Sequence, residues 1–570
     1  MRKKWTDYIT RNELLRTLCK WRARIVHKRA PLHRLWAIVK DLEPPVKVCL
    51  DNISCCLPPR RKWMRLGIKE RHRLGEDRVV EATIYRTALR DSALSEDLDK
   101  KPNWVTTFVG VVREFDALRG RQEVKFHEPT LHLVQKATGR ARRCLASFDV
   151  LPERLLLSKA ALYLRDVFDP LLSDDCFAFR RDGNFNYKSA IDDVLRYRAR
   201  HAKQKLYVAE CDIQSFFDVI NQDVVLDAYD CFVNRLEESE RPPEQLRNIL
   251  LGYLNAFTSR GNLMAATDSK IVNLRHLVKP LEETGVWKFY RKRERAKVRL
   301  GIPQGGALSP LIANLVLDVA DQAVREDHDP DLFYARFCDD IIIMHPNKAK
   351  CRAALKRYME AMKKLKLPIH PVAHPVTFGS EYYECKSKGP FTWCRPEVAT
   401  ENAAPWIAFL GVHVRYDGIV RVRKDSMQRH EKKLRMETKR FKNAVGKEGM
   451  NLKDSSDESK EMVLREFEAR IVAIGTGYAT MQHPKIGRRC WTAAFPTLTP
   501  DGPAAGQMRQ LDSVRGHQVS ALKKHLGLKP GKLPSGRSGY YGRPYSYYGS
   551  IVDVERHKSY PVDPIAYSKW

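Results

Sequence analysis

The stretch "YARFCDDIIIMHP", residues 334–346, places two adjacent aspartates, Asp339 and Asp340, between an aromatic approach and the apolar run Ile341 to Met344. Adjacent carboxylates repel one another and resist joint ionisation unless a cation or a solvent-exposed turn relieves them. The flanking pattern reads as strand, tight turn, strand, with the two carboxylates at the turn. A bare surface turn is the plain alternative. The segments on either side decide between the two.

Upstream, "KLYVAECDIQSFFDVI" (205–220) reads as a short buried strand that ends at Asp212. "GIPQGGALSPLIANLVLDVADQAV" (301–324) reads as a Gly/Pro-rich loop running into a long apolar helix, and "APWIAFLGVHVRYDGIVRVRK" (404–424) as two further strands with a turn at Asp417–Gly418. "LPERLLLSKAALYLRDVFDPLL" (151–172) carries a helix pattern closed by Pro170, and residues 223–300 and 425–525 are mainly helical. Three acidic residues, Asp212, Asp339 and Asp340, are thus delivered by strand ends that one sheet can bring together. An all-oxygen carboxylate set suits Mg²⁺, which takes one or two protein carboxylates and keeps waters and substrate phosphates as its other ligands. A pair of ions ~3.5–4 Å apart suits phosphoryl transfer, and paired cations remove the electrostatic objection to two adjacent aspartates.

Bulk properties point the same way. The 570-residue chain carries a formal net charge of +32, and such an excess suits a polyanionic partner because each cation set on a phosphate releases counterions. Residues 1–40 hold twelve Lys/Arg against two Asp/Glu, and 421–447 form a second dense basic region. Two separated basic segments suit a long nucleic acid better than a small acidic ligand. The thirteen cysteines show no paired zinc spacing, which suggests reduced thiols in a cytosolic compartment. No segment of about 18 apolar residues is present to cross a bilayer, so a soluble cytoplasmic protein with no membrane partner is expected.

Taken in order, these motifs resemble those of the reverse transcriptases. "ECDIQSFFDVI" resembles the first palm motif, "GIPQGGALSPLIANLVLD" the next motif of the group II intron-like branch, "YARFCDDIII" the third, "FLGVHVRYDG" the primer-gripping hairpin, and "DDCFAFRRDGNFNYKSAIDDV" the fingers segment. The third motif has Phe337–Cys338 where intron enzymes usually carry Tyr and Ala. No endonuclease pattern follows residue 425, and the Val-Thr-Gly signature of retron enzymes is missing. The segments "KLPIHPVAHPVTF", "KSKGPFTW" and "RYDGIVRVRKDS" are most like the bacterial defence-associated ("unknown group") reverse transcriptases.

The resemblance implies an α+β fold, a right-hand polymerase with fingers, an antiparallel-sheet palm and a helical thumb, plus a basic helical N-terminal extension. The expected divisions are the extension at 1–120, fingers at 121–204, palm at 205–424 with a helical insertion about 223–300, thumb at 425–525, and a Tyr/Gly-rich tail at 526–570. It implies an RNA-directed DNA polymerase making cDNA from an RNA template, a dedicated noncoding RNA, in antiphage defence in the bacterial cytoplasm. The alternatives are an intron-type reverse transcriptase or maturase and a catalytically idle RNA-binding scaffold. Partners would be the RNA, the cDNA product and deoxynucleoside triphosphates, with a homo-oligomer as a further expectation.

By motif position, Asp212, Asp339 and Asp340 would be catalytic and hold two Mg²⁺ ions, with the Ile213 carbonyl as a backbone ligand. Phe217 would be the steric gate against a ribose 2′-hydroxyl, with core packing as the alternative, and Gln304 would lie against the incoming nucleotide. Arg180, Arg181 and Lys188 would grip the triphosphate, and Lys386 or Lys388 would fill the place of a general-acid lysine. Residues 1–45 would bind structured RNA or else pack on the fingers. The tail tyrosines Tyr540, Tyr541, Tyr545, Tyr547, Tyr548, Tyr560 and Tyr567 would prime synthesis, stack on bases or pack.

Overall fold

A computed structural model describes residues 3–36, 52–74, 76–93, 102–135, 142–264, 281–374, 382, 385–395, 403–445, 456–476, 491–492, 495, 498, 502–528 and 543–546. The chain divides into two compact units, Met1–Ala30 with Asp41–Pro405, and Pro31–Lys40 with Trp406–Trp570. Among the described residues no helix is long and apolar enough to cross a membrane.

The first unit opens with helices α1 (Trp5–Tyr8), α2 (Arg11–Trp36), α3 (Ile68–Leu74), α4 (Glu76–Ala93) and α5 (Asn103–Arg119), followed by the hairpin β1 (Thr130–Gln135) and β2 (Arg142–Ser147). Helix α6 (Leu151–Phe168) buries Leu155, Leu156, Ala160, Leu164 and Val167, a stripe at helical spacing. Trp5 and Tyr8 of α1 both pack on Tyr163 of α6, while Leu14, Leu15 and Leu18 of α2 are buried. Among the described residues, the buried apolar side chains of α1, α2, α4 and α5 belong to the same core as α6 and the rest of the unit.

Next come α7 (Tyr187–Arg200), β3 (Leu206–Asp212), α8 (Phe216–Val219), α9 (Gln222–Asn234), α10 (Glu244–Asn255), α11 (Ser309–Arg325), β4 (Phe333–Phe337), β5 (Asp340–His345), α12 (Lys348–Lys364), β6 (Val372–Ala373), β7 (Ser387–Trp393) and β8 (Ala403–Ala404). The strands form one sheet in the order β4-β5-β3-β7-β6, with β8 also on β7. The β4/β5, β5/β3 and β3/β7 pairs are antiparallel, and the short β6 and β8 run parallel to β7. The apolar run after the aspartates makes β5 the buried strand between β4 and β3. Helix α12 lies against β5, β3 and β7, and α11 lies against α12.

One buried ion pair fixes the hairpin to these helices. Arg336 on β4 grips Asp321 of α11 in bidentate fashion, at 2.7 and 2.6 Å, and neither side chain is exposed. Tyr334 donates its hydroxyl to the same carboxylate at 2.8 Å. Satisfied on every side, the pair ties β4 to α11 in one arrangement.

The second unit holds a three-stranded antiparallel sheet, β9 (Trp406–Phe409), β10 (Val412–Arg415) and β11 (Val420–Val422), and the helices α13 (Lys424–Val445), α14 (Asp457–Gly475) and α15 (Pro503–His525). Leu434, Phe441, Phe467, Ile471 and Leu522 form its helical core. One expectation is corrected here. The stretch 404–424 makes three strands in this sheet rather than two, because Leu410 and Gly411 both take positive φ and turn the chain. These strands cluster with the C-terminal helices in the second unit.

Candidate active site

Asp212 is the last residue of β3 and pairs directly with Asp340, the first residue of β5. Asp339 sits between them in sequence space, in the two-residue turn that joins β4 to β5. Its neighbour Cys338 has φ 60°, an uncommon conformation for a residue with a side chain and one that clusters at functional sites. Burial, and then the charge of Asp212, push the Asp339 carboxyl above the usual carboxylate range.

Asp212 is held from two further segments. Lys386 donates to its Oδ2 at 2.8 Å, and His370 Nε2 lies 3.2 Å from the same ammonium and 3.7 Å from Oδ2. The backbone N–H of Asp212 donates to Ser387 Oγ at 3.0 Å, and its carbonyl accepts from the His370 N–H at 3.0 Å. Ile213, whose side chain is buried, forms a bridge with Ile369. Lys388 turns instead to Glu210, at 2.6 Å. The sequence left Lys386 and Lys388 open; only Lys386 reaches Asp212. His370 and Ser387 lie in the quoted segments "KLPIHPVAHPVTF" and "KSKGPFTW", but the sequence singles out neither, because the resemblance rests on those segments as a whole and not residue by residue.

The loop 301–309 is locked against two neighbours. The Gln304 carbonyl accepts from Ala146 of β2 at 2.8 Å, which leaves its half-buried side chain as the free end. Gly301 needs its φ of 90°, and a Cβ at Gly306 would overlap the Tyr253 hydroxyl. That hydroxyl is hydrogen-bonded to Ser309 Oγ at 2.8 Å, and Ser309 donates to the Pro303 carbonyl at 2.6 Å. Phe217, half-buried, meets Phe216 edge-on with ring centroids 5.2 Å apart. Its carbonyl accepts from the Ile302 N–H at 2.9 Å, so the gate candidate and the loop share a backbone hydrogen bond.

The three fingers cations part company. Arg180 is nearly buried. Its guanidinium meets the Asp169 carboxylate and the carbonyls of Asp169, Ser173 and Cys176, so it is engaged as a clamp of the chain turn. Arg181 is exposed and ion-paired with Asp166, which also accepts from the Tyr8 hydroxyl. Lys188 is exposed in the first turn of α7.

Of the seven tail tyrosines, Tyr545 alone lies among the described residues. It is fully buried in the second unit. Its hydroxyl is 2.6 Å from His430 Nε2, and its backbone N–H donates to Asp512 at 3.0 Å. Packing, rather than priming or stacking, is what this residue does. Tyr540, Tyr541, Tyr547, Tyr548, Tyr560 and Tyr567 lie outside the described residues. Trp5, Tyr8 and Glu13 of the 1–45 segment contact α6, and 37–45 again lie outside.

Among the described residues no group of three or more His, Cys, Asp or Glu side chains is gathered closely enough to hold a metal ion. Of the three expected carboxylates, Asp340 is exposed, and Asp212 is turned to Lys386. The donor chemistry fits a hard divalent cation, because Asp339 is a half-buried carboxylate pushed up by burial and by a second carboxylate, without a cation of its own at ion-pair distance among the described residues.

Residues 153–374 match the family described as reverse transcriptase (RNA-dependent DNA polymerase). The match runs from α6 to β6 and contains Asp212, Phe217, Gln304, Asp339 and Asp340. A reverse transcriptase domain is thus present in this chain, which supports RNA-directed DNA polymerase activity in general terms. No curated protein matches the chain. Among solved structures it is similar to telomerase from Candida albicans in complex with a TWJ fragment of telomeric RNA, at 10% identity and a TM-score of 0.31 over 87% of this chain and 75% of that one. It is also similar to apo telomerase from Candida tropicalis, at 12% identity and a TM-score of 0.33 over 89% and 82%.

Proposed function

We propose that the ends of β3 and β5 are the reaction centre of an RNA-directed DNA polymerase that extends a primer with deoxynucleotides. The observation that carries this reading is the pairing of Asp212 with Asp340 at the strand ends, with Asp339 in the adjoining turn, inside the segment that matches the reverse transcriptase family. Asp212, Asp339 and Asp340, with the Ile213 carbonyl, would hold the divalent cations. When bound, two Mg²⁺ ions would activate the primer hydroxyl and neutralise the departing pyrophosphate.

The chain's own residues do the positioning. Phe217, anchored through Ile302, sets a fixed wall where a ribose 2′-hydroxyl would arrive. Gln304 offers its side chain from a loop whose backbone is tied to β2 and Tyr253. Arg181 and Lys188 remain solvent-facing to meet a triphosphate, while Arg180 shapes the turn that carries Arg181. In this reading the six-stranded sheet is the palm, residues 121–204 the fingers and the helices after 424 the thumb.

A second reading, an idle RNA-binding scaffold, is favoured by one observation: the Asp212 carboxylate is already bound by Lys386. Incorporation of labelled deoxynucleotides by the purified full chain on an RNA template with an annealed DNA primer separates the two. Activity that Asp339→Ala abolishes supports the polymerase; no incorporation by the wild-type chain supports the scaffold. The finer placement, a group II intron-like enzyme serving antiphage defence with a dedicated noncoding RNA and as a homo-oligomer, rests on the motif resemblance of 301–318 and of segments within 366–426. Sequencing the nucleic acid that copurifies with the protein tests it.

A further inference from the structure

Three consecutive residues at the start of β7 each take hold of the end of β3. Lys386 binds the Asp212 carboxylate at 2.8 Å, Ser387 accepts from the Asp212 N–H at 3.0 Å, and Lys388 binds Glu210 at 2.6 Å. The β3/β7 register shifts between Val208 and Glu210, so the chain slips one residue just before this strap. The strap therefore meets Glu210 and Asp212 in a register of its own rather than one continued from the rest of the strand pair.

The two lysines differ in kind. Lys388 is nearly buried, at 9% side-chain exposure, and closes a pair with the equally covered Glu210. Lys386 stands 59% exposed above an Asp212 that is 14% exposed. It can leave for water at little cost, since an exposed lysine keeps full hydration and regains its rotamer freedom. Its ammonium sits on Oδ2 of Asp212, and His370 Nε2 lies 3.2 Å from that ammonium and 3.7 Å from the same oxygen. Without that cation, Asp212 would stand near a half-buried Asp339, whose carboxyl is already pushed up by burial and then by the Asp212 charge.

We propose that Lys386 is a positioning residue that serves as the resident counter-ion of Asp212 and yields that carboxylate to an incoming divalent cation. The proposal rests on the reading of Asp212 as a metal ligand. Ammonium and metal then compete for one oxygen. In the metal-free protein Lys386 occupies the Asp212 carboxylate, and metal entry releases the lysine toward solvent. The metal affinity of the free enzyme is set partly by the strength of this exposed pair.

The test measures Mn²⁺ binding to the full-length protein by electron paramagnetic resonance, without nucleotide or nucleic acid. Lys386→Met should tighten Mn²⁺ binding roughly two- to fivefold, the span that an exposed ion pair covers. Lys386→Arg, which keeps the cation, should bind as the wild type does. Lys388→Met, which removes a neighbouring charge that does not touch Asp212, should leave the affinity near wild type. Unchanged affinity in Lys386→Met overturns the proposal, and so does equal tightening in Lys388→Met, which would mean a general charge effect. Should Lys386→Met fold poorly by circular dichroism, Lys386→Gln gives the same reading. Asp212→Asn separates the two layers. If it weakens Mn²⁺ binding while Lys386→Met does nothing, only the counter-ion proposal falls. If it leaves binding unchanged, the metal-site reading falls and takes the proposal with it.

Discussion

Asp212 and Asp340 face each other as the last shared rung of the antiparallel β3/β5 pair. One chain change at the adjoining turn should therefore stop the chemistry while the sheet stands. Asp339→Asn is expected to cut deoxynucleotide incorporation on the order of a hundredfold or more, because a bound metal supplies several kcal/mol to the transferring phosphoryl group. In metal-free protein it should raise the melting temperature, since it removes one of two neighbouring carboxylates. Primer extension and differential scanning fluorimetry check the two halves.

Phe217→Ala should admit ribonucleotides. The ring is fixed by Phe216 on one side and by the Ile302 hydrogen bond behind it, so its removal opens space without shifting the loop. The ratio of ribo- to deoxynucleotide incorporation should rise on the order of tenfold or more, since a removed clash is worth about 1–3 kcal/mol in a pocket. An unchanged ratio would return Phe217 to core packing.

Arg336→Met should destabilise the first unit strongly, by about 3–5 kcal/mol, because it leaves Asp321 charged and buried with the Tyr334 hydroxyl but without its cation. Pairing it with Asp321→Leu should recover much of the loss, since a neutral apolar pair of similar volume leaves no orphan charge. Hydrogen exchange of β4 and α11 amides reads the effect where it arises.

His430 should make the second unit sensitive to acid. Burial, with repulsion from Lys433 added, pushes its imidazole down to about 3, against an ordinary value of 6.5. It stacks on Trp491 at 4.5 Å and accepts from the Tyr545 hydroxyl as the neutral ring. Below the ordinary value the unfolded chain takes up a proton that the folded one refuses. Stability from this residue is thus full above about pH 6.5 and is lost as pH falls toward 3. His430→Phe should flatten the melting temperature between pH 6.5 and 4.

The turn at 291–297 should carry part of any RNA affinity. Arg291, Lys292, Arg293 and Lys297 are exposed. The turn is braced by Arg295, which donates to the Trp287 carbonyl at 3.2 Å, and by Glu294, which accepts the Arg291 N–H at 3.0 Å. Replacing Arg291, Lys292 and Arg293 with Ala should lower the salt dependence of single-stranded RNA binding by about 0.7 per cation that meets a phosphate. Fluorescence anisotropy at several salt concentrations gives the slope.

The carboxylates and the central strands were legible because their signals are local. An apolar run ending in Asp212, and another starting just after Asp340, specify strand ends whatever surrounds them. Strand β7 was not legible. "SKGPFTW" holds Gly389 and Pro390, which argue against a strand interior; the register shift against β3 is where the missing Pro390 N–H is tolerated. With β7 unread, the hold of Lys386 and Ser387 on Asp212 could not be seen. Nor could the fate of Arg180, since three of its acceptors are backbone carbonyls brought near by the fold. The burial of Tyr545 likewise depends on His430 and Asp512, more than thirty residues away in sequence.

The lodging of the Tyr253 hydroxyl where a side chain at 306 would begin has a meaning for descent. Two positions half a hundred residues apart cannot drift independently. A lineage that replaced Tyr253 with a residue lacking the hydroxyl would free position 306 to vary and would also lose the brace on Ser309. One that first acquired alanine at 306 would have to expel the tyrosine. Related sequences should therefore show the tyrosine and the second glycine of "PQGG" kept together or lost together, and that joint pattern can be read from genomes before any protein is made.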